Sequence, residues 1–141
     1  MSEAAAAPER PVFRLRHRRE FLAAAKGFRW VGSAFVLQAA ERVKPPGDAS
    51  ATPAEAVGLG FTASRRVGGA VQRNRARRRL REAIRPLLPR LGRPGVDYVV
   101  VARAPVLTCP FDRLQTDLEA GLGAFAERAA RRRARAGQPV S

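Results

Sequence analysis

Apolar and polar residues alternate most regularly in the segment 56–63, and this alternation predicts a β-strand. Three apolar side chains point to one side of that strand and three small or polar ones to the other, namely Val57, Leu59 and Phe61 against Gly58, Gly60 and Thr62. We expect the apolar side to pack on a helix. The glycine side is nearly flat, so it either accepts the backbone of a ligand or packs closely against another part of the protein.

The remaining apolar runs predict three more strands and three helices. The other strands are expected at 28–31, 34–40 and 97–103, the last as a central buried strand because its apolar run is continuous. Helices are expected where apolar residues recur every three or four positions, at 18–26, 70–85 and 111–130. Pro86 ends or kinks the second helix, and the breaker-rich stretch 44–54 is a loop. The order αβββαβα indicates an α/β fold in which helices back one sheet.

Both ends of the chain are predicted to lie outside the folded domain. Residues 1–13 are rich in Ala, Pro and Glu, and we expect a disordered tail there. The domain is expected to span 14–127, followed by a basic disordered tail over 128–141.

The charge of the chain narrows the class of partner. Its 141 residues include 27 Lys or Arg against 12 Asp or Glu, a formal net charge of +15. A chain of this charge attracts polyanions, so nucleic acid and acidic membrane are the candidates. Nearly all the cations are Arg, whose guanidinium fork suits phosphate.

Other functions are disfavoured by what the composition lacks. Cys109 is the only cysteine and His17 the only histidine, which excludes an intrachain disulfide and disfavours metal sites built on these residues. The sequence contains no paired carboxylates and no nucleophile–base set that would indicate a catalytic centre. No apolar run approaches membrane-spanning length and the N-terminus lacks a signal-peptide pattern, so we expect a cytoplasmic protein without a membrane partner.

The helix predicted over 70–85 concentrates the positive charge. On a helical wheel its apolar residues form one stripe, made of Ala76, Leu80, Ala83, Ile84 and Leu87. Arginines occupy one flank of the stripe at successive i,i+4 steps and also the exposed surface, as Arg73, Arg77 and Arg81 on the flank and Arg75, Arg78 and Arg79 beyond it. Like charges at this spacing repel, so a polyanionic ligand explains them better than solubility does. Asn74, among them, suits a base edge, a 2′-hydroxyl or a local backbone group.

These patterns alone predict a nucleic-acid-binding α/β domain. The chain lacks the helix-turn-helix layout of many DNA-binding proteins and the aromatic strand motif of the common RNA-recognition sheet. A ribosomal or other structural RNA-binding protein and a DNA-binding or nucleoid protein stay open as alternatives. A nuclease that acts without RNA is the least favoured.

Three neighbouring segments carry a resemblance to a known family. They are Gly58-Leu59-Gly60-Phe61-Thr62-Ala63-Ser64-Arg65-Arg66-Val67-Gly68 and Ala70-Val71-Gln72-Arg73-Asn74-Arg75, followed by Arg78-Arg79-Leu80-Arg81-Glu82. Together they resemble the signature of bacterial ribonuclease P proteins, which are named by the Arg-Asn-Arg triplet found here at 73–75. Supporting segments are Arg14-Leu15-Arg16, Glu20-Phe21 and Asp97-Tyr98-Val99-Val100-Val101-Ala102-Arg103, so the resemblance covers about 14–126.

The resemblance implies a fold and a function. The fold would be a mixed four-stranded sheet with helices, ribosomal-protein-S5-domain-2-like, with a left-handed βαβ crossover where the general rule favours the right hand. The function would be that of the protein subunit of ribonuclease P, with one protein bound per catalytic RNA. Such a subunit promotes removal of the 5′ leader of precursor tRNA, while the RNA subunit performs the hydrolysis with Mg²⁺ that is bound mainly by RNA.

The resemblance also implies two RNA-binding surfaces. The one for the catalytic RNA subunit comprises Arg73, Asn74, Arg75, Arg77, Arg78 and Arg81. The one for the precursor tRNA leader comprises Arg14, Arg16, Phe21, Gln38, Ser64, Arg65 and Arg66. Many family members have aromatic residues at the positions of Ala25 and Gln38, so leader contacts here are expected to rely more on charge than on base stacking.

Overall fold

The computed structural model describes residues 9–42, 53 and 55–137, and these residues contain five strands and four helices. The strands are β1 (Val12–Arg14), β2 (Phe28–Val31), β3 (Phe35–Glu41), β4 (Val57–Thr62) and β5 (Val96–Ala102). The helices are α1 (Arg18–Ala25), α2 (Ala70–Ile84), α3 (Leu88–Leu91) and α4 (Phe111–Gly137). A short 3-10 helix over Ala104–Leu107 connects β5 to α4.

The strands form one mixed sheet in the order β1-β4-β5-β3-β2. Strand β4 runs parallel to both β1 and β5, whereas β3 is antiparallel to β5 and to β2. The predicted α/β class is confirmed, and the predicted helix at 70–85 connects the parallel neighbours β4 and β5. The left hand of that crossover stays a prediction.

The predicted number of strands is wrong, because β1 adds a fifth at the edge of the sheet. Its three residues are too few to show a periodic pattern, and its backbone bonds are what define it. The N–H of Val57 donates to the carbonyl of Pro11 at 3.0 Å, and the N–H of Leu15 donates to the carbonyl of Leu59 at 2.9 Å. This pairing covers the first half of the β4 edge, which would otherwise offer open hydrogen-bonding groups.

The ends of the folded region differ from the prediction. Strand β1 begins at Val12, inside the segment expected to be a tail, and α4 continues to Gly137, ten residues past the expected boundary at 127. The helix continues because the segment 127–136 consists of Ala, Arg and Glu, which are strong helix formers. Ala129 is also buried there. The helix α3 follows Pro86, where the second predicted helix was expected to end or kink, and all of the predicted loop at 44–54 except Pro53 lies outside the described residues.

The sheet has a different layer on each face. Alternate residues of β3, β4 and β5 join α2 and α4 in the main core, where Tyr98, Phe35, Leu80 and Leu118 are fully buried. Burial raises the pKa of Tyr98 to about 12, while its hydroxyl accepts a hydrogen bond from the N–H of Arg93 at 2.9 Å. The other face carries a smaller cluster under α1, made of Leu15, Phe21, Ala24, Val99 and Val101. No helix among the described residues is both long and apolar enough to cross a membrane.

A buried ion pair joins β5 to the two ends of the segment between β3 and β4. The Nε and Nη2 atoms of Arg42 donate to Oδ1 of Asp97 at 2.9 and 2.8 Å, and both side chains are at most 10% exposed. The same guanidinium donates to the carbonyls of Pro53 and Ala56 at 2.8 and 3.1 Å. Burial raises the pKa of Asp97 above its usual value, and the hydrogen bond and charge of Arg42 oppose that rise.

We predict that Arg42→Met destabilises the fold by about 3–5 kcal/mol, because it leaves the Asp97 carboxylate buried without its cation. The loss should shrink as the pH falls, since removing Arg42 raises the pKa of Asp97 further and protonation removes the unpaired charge. Urea denaturation at several pH values measures both effects. The control is Arg113→Met, an exposed residue paired with Asp117 at 3.8 Å, which should cost less than about 1 kcal/mol. Equal losses for the two variants would contradict the assignment.

Candidate nucleic-acid interface

The turn before α2 sets where the arginine helix begins. The N–H groups of Val67 and Gly68 donate to the carbonyls of Ser64 and Arg65 at 3.0 and 3.1 Å. Gly68 has a φ of 145°, a conformation that a residue with a side chain rarely adopts. The helix then starts directly after Gly69, which has extended backbone. Its buried stripe is Ala76, Leu80, Ala83 and Ile84, as the helical wheel predicted.

The arginines of α2 fall into two groups once the helix is packed. Arg75, Arg78 and Arg81 are exposed, whereas Arg73, Arg77 and Arg79 are half-buried. The prediction that Arg79 belongs to the open surface is wrong, because its Nη2 donates to the carbonyl of Cys109 and its Nε is buried. Arg79 therefore connects α2 to the segment before α4.

A groove of about 830 Å³ runs along the outer edge of β4, between α2 and the N-terminal part of the chain. Its α2 wall consists of Asn74, Arg77, Arg78 and Arg81. The facing wall consists of Val12, Arg14, Leu15 and Phe21, and the floor of Leu59, Gly60 and Phe61. The groove thus combines four arginines with two aromatic rings.

Short contacts orient the side chains of the α2 wall. The Arg77 guanidinium donates from Nη1 to Oδ1 of Asn74 at 2.9 Å, so the carboxamide holds that arginine. The Arg81 guanidinium lies 5.6 Å from the centroid of the Phe61 ring, within the range of a cation–π interaction. Arg78 is 3.6 Å from Glu82, but both side chains are more than half exposed and the pair is weak.

The glycine side of β4 packs against the protein itself. A Cβ built on Gly60 would lie 2.6 and 2.7 Å from Cε1 and Cζ of Phe21, far inside van der Waals contact. Of the two alternatives for this flat face, close packing is therefore what the structure shows. Because Gly60 lacks a side chain, the Phe21 ring can lie directly on the strand and form part of the groove.

The structure brings some of the predicted leader-binding residues into the groove and leaves others outside it. Arg14 and Phe21 line it together with the α2 wall, so residues from both predicted surfaces meet there. Gln38 lies two strands away on the same face of the sheet, in one row with Val99 and Gly60.

The other predicted leader-binding residues do not line the groove. The turn residues Ser64, Arg65 and Arg66 are exposed, and Ser64 Oγ accepts a hydrogen bond from the N–H of Arg66 at 3.3 Å. Arg16 is also exposed, and its N–H donates to Oε1 of Glu20 at 3.0 Å.

Apart from Phe21, the apolar residues that line the groove were not predicted from the sequence. Phe61 was assigned to the helix-facing side of β4, which is correct, but at the sheet edge that side also opens to the groove under Arg81. The available signal was an aromatic residue near the end of the strand that directly precedes the arginine helix. Val12 and Leu15 gave no such signal, because β1 was not recognised.

The donor set of the groove fits an anion and does not fit a metal ion. Its lining contains four arginines and no carboxylate. Mg²⁺ prefers carboxylate, carbonyl and water oxygens, so the protein side of this groove would repel it. Within the described ranges, no group of three or more His, Cys, Asp or Glu side chains could hold a metal ion.

The fold and the groove define a small, strongly basic α/β protein whose edge cleft suits a polyanion. The family model for ribonuclease P matches residues 11–126 of this chain. The ribonuclease P protein component of Ruegeria pomeroyi is 46% identical over 109 residues, which cover 77% of this chain and 82% of the relative. That of Brucella suis is 39% identical over 120 residues, 85% of this chain and 84% of the relative. The chain belongs to the ribonuclease P protein family, and the resemblance seen in its motifs is confirmed.

Solved structures agree with this assignment. The ribonuclease P protein of Thermotoga maritima superposes with a TM-score of 0.60 at 26% identity, covering 77% of this chain and 94% of its own. The protein of Staphylococcus aureus superposes with a TM-score of 0.59 at 23% identity, covering 79% and 94% of the two chains, and supports the fold alone.

We predict that Gly60→Ala destabilises the protein by about 1–3 kcal/mol, because the new methyl group overlaps the Phe21 ring. The matched control is Gly123→Ala. Gly123 lies in α4 with no atom within 4 Å of a built Cβ, so alanine should stabilise the helix by about 0.5–1 kcal/mol. Thermal denaturation of both variants measures the difference. A neutral or stabilising Gly60→Ala would show that Phe21 does not rest on the strand.

Proposed function

We propose that this protein is the protein subunit of a ribonuclease P holoenzyme that removes the 5′ leader from precursor tRNA. It binds the catalytic RNA subunit through α2 and holds the single-stranded leader against the sheet. The observation that carries the proposal is the groove at the β4 edge, where residues of both surfaces line one basic, partly aromatic cleft. Membership of the family supports it.

The α2 surface has the chemistry of a phosphate-binding site. Arg75 and Arg78 project into solvent, while Arg77 and Arg81 are held by Asn74 and Phe61. One guanidinium group can donate two parallel hydrogen bonds to the oxygens of one phosphate. It loses little conformational entropy on binding when its side chain is already oriented. Each phosphate that they neutralise releases counterions, so binding should weaken steeply with salt.

The facing wall suits the leader. Arg14 offers a charge for a backbone phosphate, and the ring of Phe21 offers a flat apolar surface for a base. Gln38, further along the same face, can hydrogen-bond a base edge or a 2′-hydroxyl. Mature tRNA has no leader, so these contacts favour substrate over product, which is differential binding.

The RNA subunit performs the chemistry in this proposal. The protein side of the groove offers neither a nucleophile nor a general base, and its donor set does not fit Mg²⁺. The metal would be held mainly by RNA phosphates. The arginines lower the magnesium requirement because they replace part of the counterion atmosphere between RNA segments. One protein per RNA is expected.

The two other candidate functions are less well supported. A ribosomal or structural RNA-binding protein would share the charge, and a nucleoid protein would share the affinity for polyanions. Neither explains why the chain belongs to the ribonuclease P family over residues 11–126.

Replacing the α2 wall tests the proposal. In the variant Arg77→Gln/Arg78→Gln/Arg81→Gln, we expect binding to a bacterial ribonuclease P RNA to lose about two to three units of the slope of log K against log salt. Filter binding over a range of KCl concentrations measures this slope. Circular dichroism verifies that α2 still forms.

The matched control removes the same charge from exposed positions outside the groove. It is Arg85→Gln/Arg90→Gln/Arg113→Gln, whose three side chains are exposed and do not line the groove. Its long-range effect on the salt slope should be less than half that of the groove variant. Equal slopes for the two triple variants would contradict the assignment of α2 to the RNA subunit.

A further inference from the structure

The last part of α4 lies beyond the region that the family model matches. The family model ends at residue 126, whereas the helix continues to Gly137. Over 127–136 the helix carries five arginines and one acid, namely Arg128, Arg131, Arg132, Arg133, Arg135 and Glu127. This segment, which we call the C-terminal extension, was expected to be a disordered tail.

Four of the five arginines of the extension lie on one side of the helix. Arg128, Arg131, Arg132 and Arg135 follow the spacing i, i+3, i+4, i+7, and together they line a depression of about 320 Å³. The Arg128 guanidinium lies 5.6 Å from the centroid of the Phe28 ring, which holds the first of these arginines against β2.

A larger cleft of about 580 Å³ lies beside this depression, between the extension and the open end of the β2–β3 hairpin. One wall is basic, with Arg128, Arg132 and Arg133. The other is mostly apolar backbone and side chain, with Phe28, Ala39 and Ala40. Glu41 is the only acidic residue in the lining. Arginines beside an aromatic ring form the same combination as in the first groove.

The two basic surfaces lie at opposite edges of the sheet. The first follows β4 and β1, and the second lies at β2 and β3. From β4 to β2 the sheet steps three times, through β5 and β3, a distance of about 14 Å at the usual spacing of strands. An RNA segment in the first groove therefore does not reach the second without crossing the sheet.

Helix propensity explains why the extension is helical, but helix stability does not explain why its charges are nearly all positive. Positive charge near a helix C-terminus interacts favourably with the helix dipole, but only within the last turn. The pairs Arg128–Arg132 and Arg131–Arg135 place like charges at i,i+4, which destabilises a helix. Only Glu127 offsets this, at 3.8 Å from Arg131, and both side chains are exposed.

The apolar face of the extension decides between the two kinds of polyanion. A helix that binds an acidic membrane needs an open apolar face to enter the lipid interface. Here the apolar side is turned inward: Ala129 of the extension and Phe125, just before it, are at most 9% exposed, and Phe125 packs edge-on against Tyr98 and Phe28. The exposed side of the extension consists of the five arginines, Glu127 and the small side chains of Ala130, Ala134 and Ala136, so it offers charge but no large apolar side chain. This arrangement fits the phosphates of a nucleic acid.

We propose that the C-terminal extension is a second RNA-binding surface, which binds the phosphate backbone of the catalytic RNA subunit at a segment separate from the one that contacts α2. This inference rests on the proposed function. The protein would thus hold two segments of one RNA from opposite edges of its sheet.

The test is the variant Arg131→Gln/Arg132→Gln/Arg135→Gln in the full chain. Arg128 is kept because it packs on Phe28. Binding to ribonuclease P RNA should lose about two to three units of salt slope and about tenfold or more in affinity at 150 mM KCl. The control is again Arg85→Gln/Arg90→Gln/Arg113→Gln, which removes the same charge elsewhere. Circular dichroism confirms that the variants remain folded.

Hydroxyl-radical footprinting of the RNA identifies the segment. The extension variant should lose protection at nucleotides that the α2 variant still protects, and the α2 variant should show the reverse. If both variants lost protection at the same nucleotides, or if the extension variant had the same salt slope as the control, the second surface would be overturned. Normal binding by the wild-type protein would in that case leave the proposed function intact. If the wild-type protein itself fails to bind the RNA, the proposed function falls and this inference falls with it.

Discussion

The packing of one helix stripe on the sheet determines where every arginine of α2 points. Leu80 and Ile84 are fully buried, and each contributes about 1.5–3 kcal/mol when it leaves water. The like-charge pairs along the helix each cost only about 0.2–0.5 kcal/mol. Packing therefore dominates, and the helix holds its arginines in place without a ligand. A polyanion then meets charges that are already positioned.

The groove exists because the edge of β4 is only half covered. Strand β1 pairs with residues 57–59, and Leu15 makes the last backbone bond to that edge. Beyond this point α1 crosses the opposite face of the sheet, and Phe21 rests on Gly60. A longer β1, or a side chain at position 60, would fill or displace the wall that faces α2. The groove is thus formed jointly by β1, β4 and α1 on the side that faces α2, and none of these segments forms it alone.

Much of the fold was predictable because its elements have strong internal periodicity. The stripe of α2, the alternation in β4 and the continuous apolar run of β5 are properties of consecutive residues. Strand β1 was not predictable, since three residues show no period and only the backbone of β4 defines it. The C-terminal extension was wrongly predicted to be a disordered tail, because that prediction relied on its high charge and not on the helix propensity of its Ala, Arg and Glu residues.

The candidate site was predictable by residue but not by arrangement. The motifs identified the arginines of α2, and the family resemblance identified Arg14 and Phe21. That these residues line one groove depends on contacts between distant segments. The structural role of Arg79 was equally hidden, since its partner Cys109 lies 30 residues away along the chain.

The proposed role of this protein is to enable a catalytic RNA to act on precursor tRNA. The most direct test mixes the purified protein, a bacterial ribonuclease P RNA and a precursor tRNA at low magnesium, and omits each component in turn. Release of the 5′ leader is measured. We expect cleavage only when both protein and RNA are present. Tight RNA binding without any stimulation of leader release would contradict it, and so would cleavage by the protein alone.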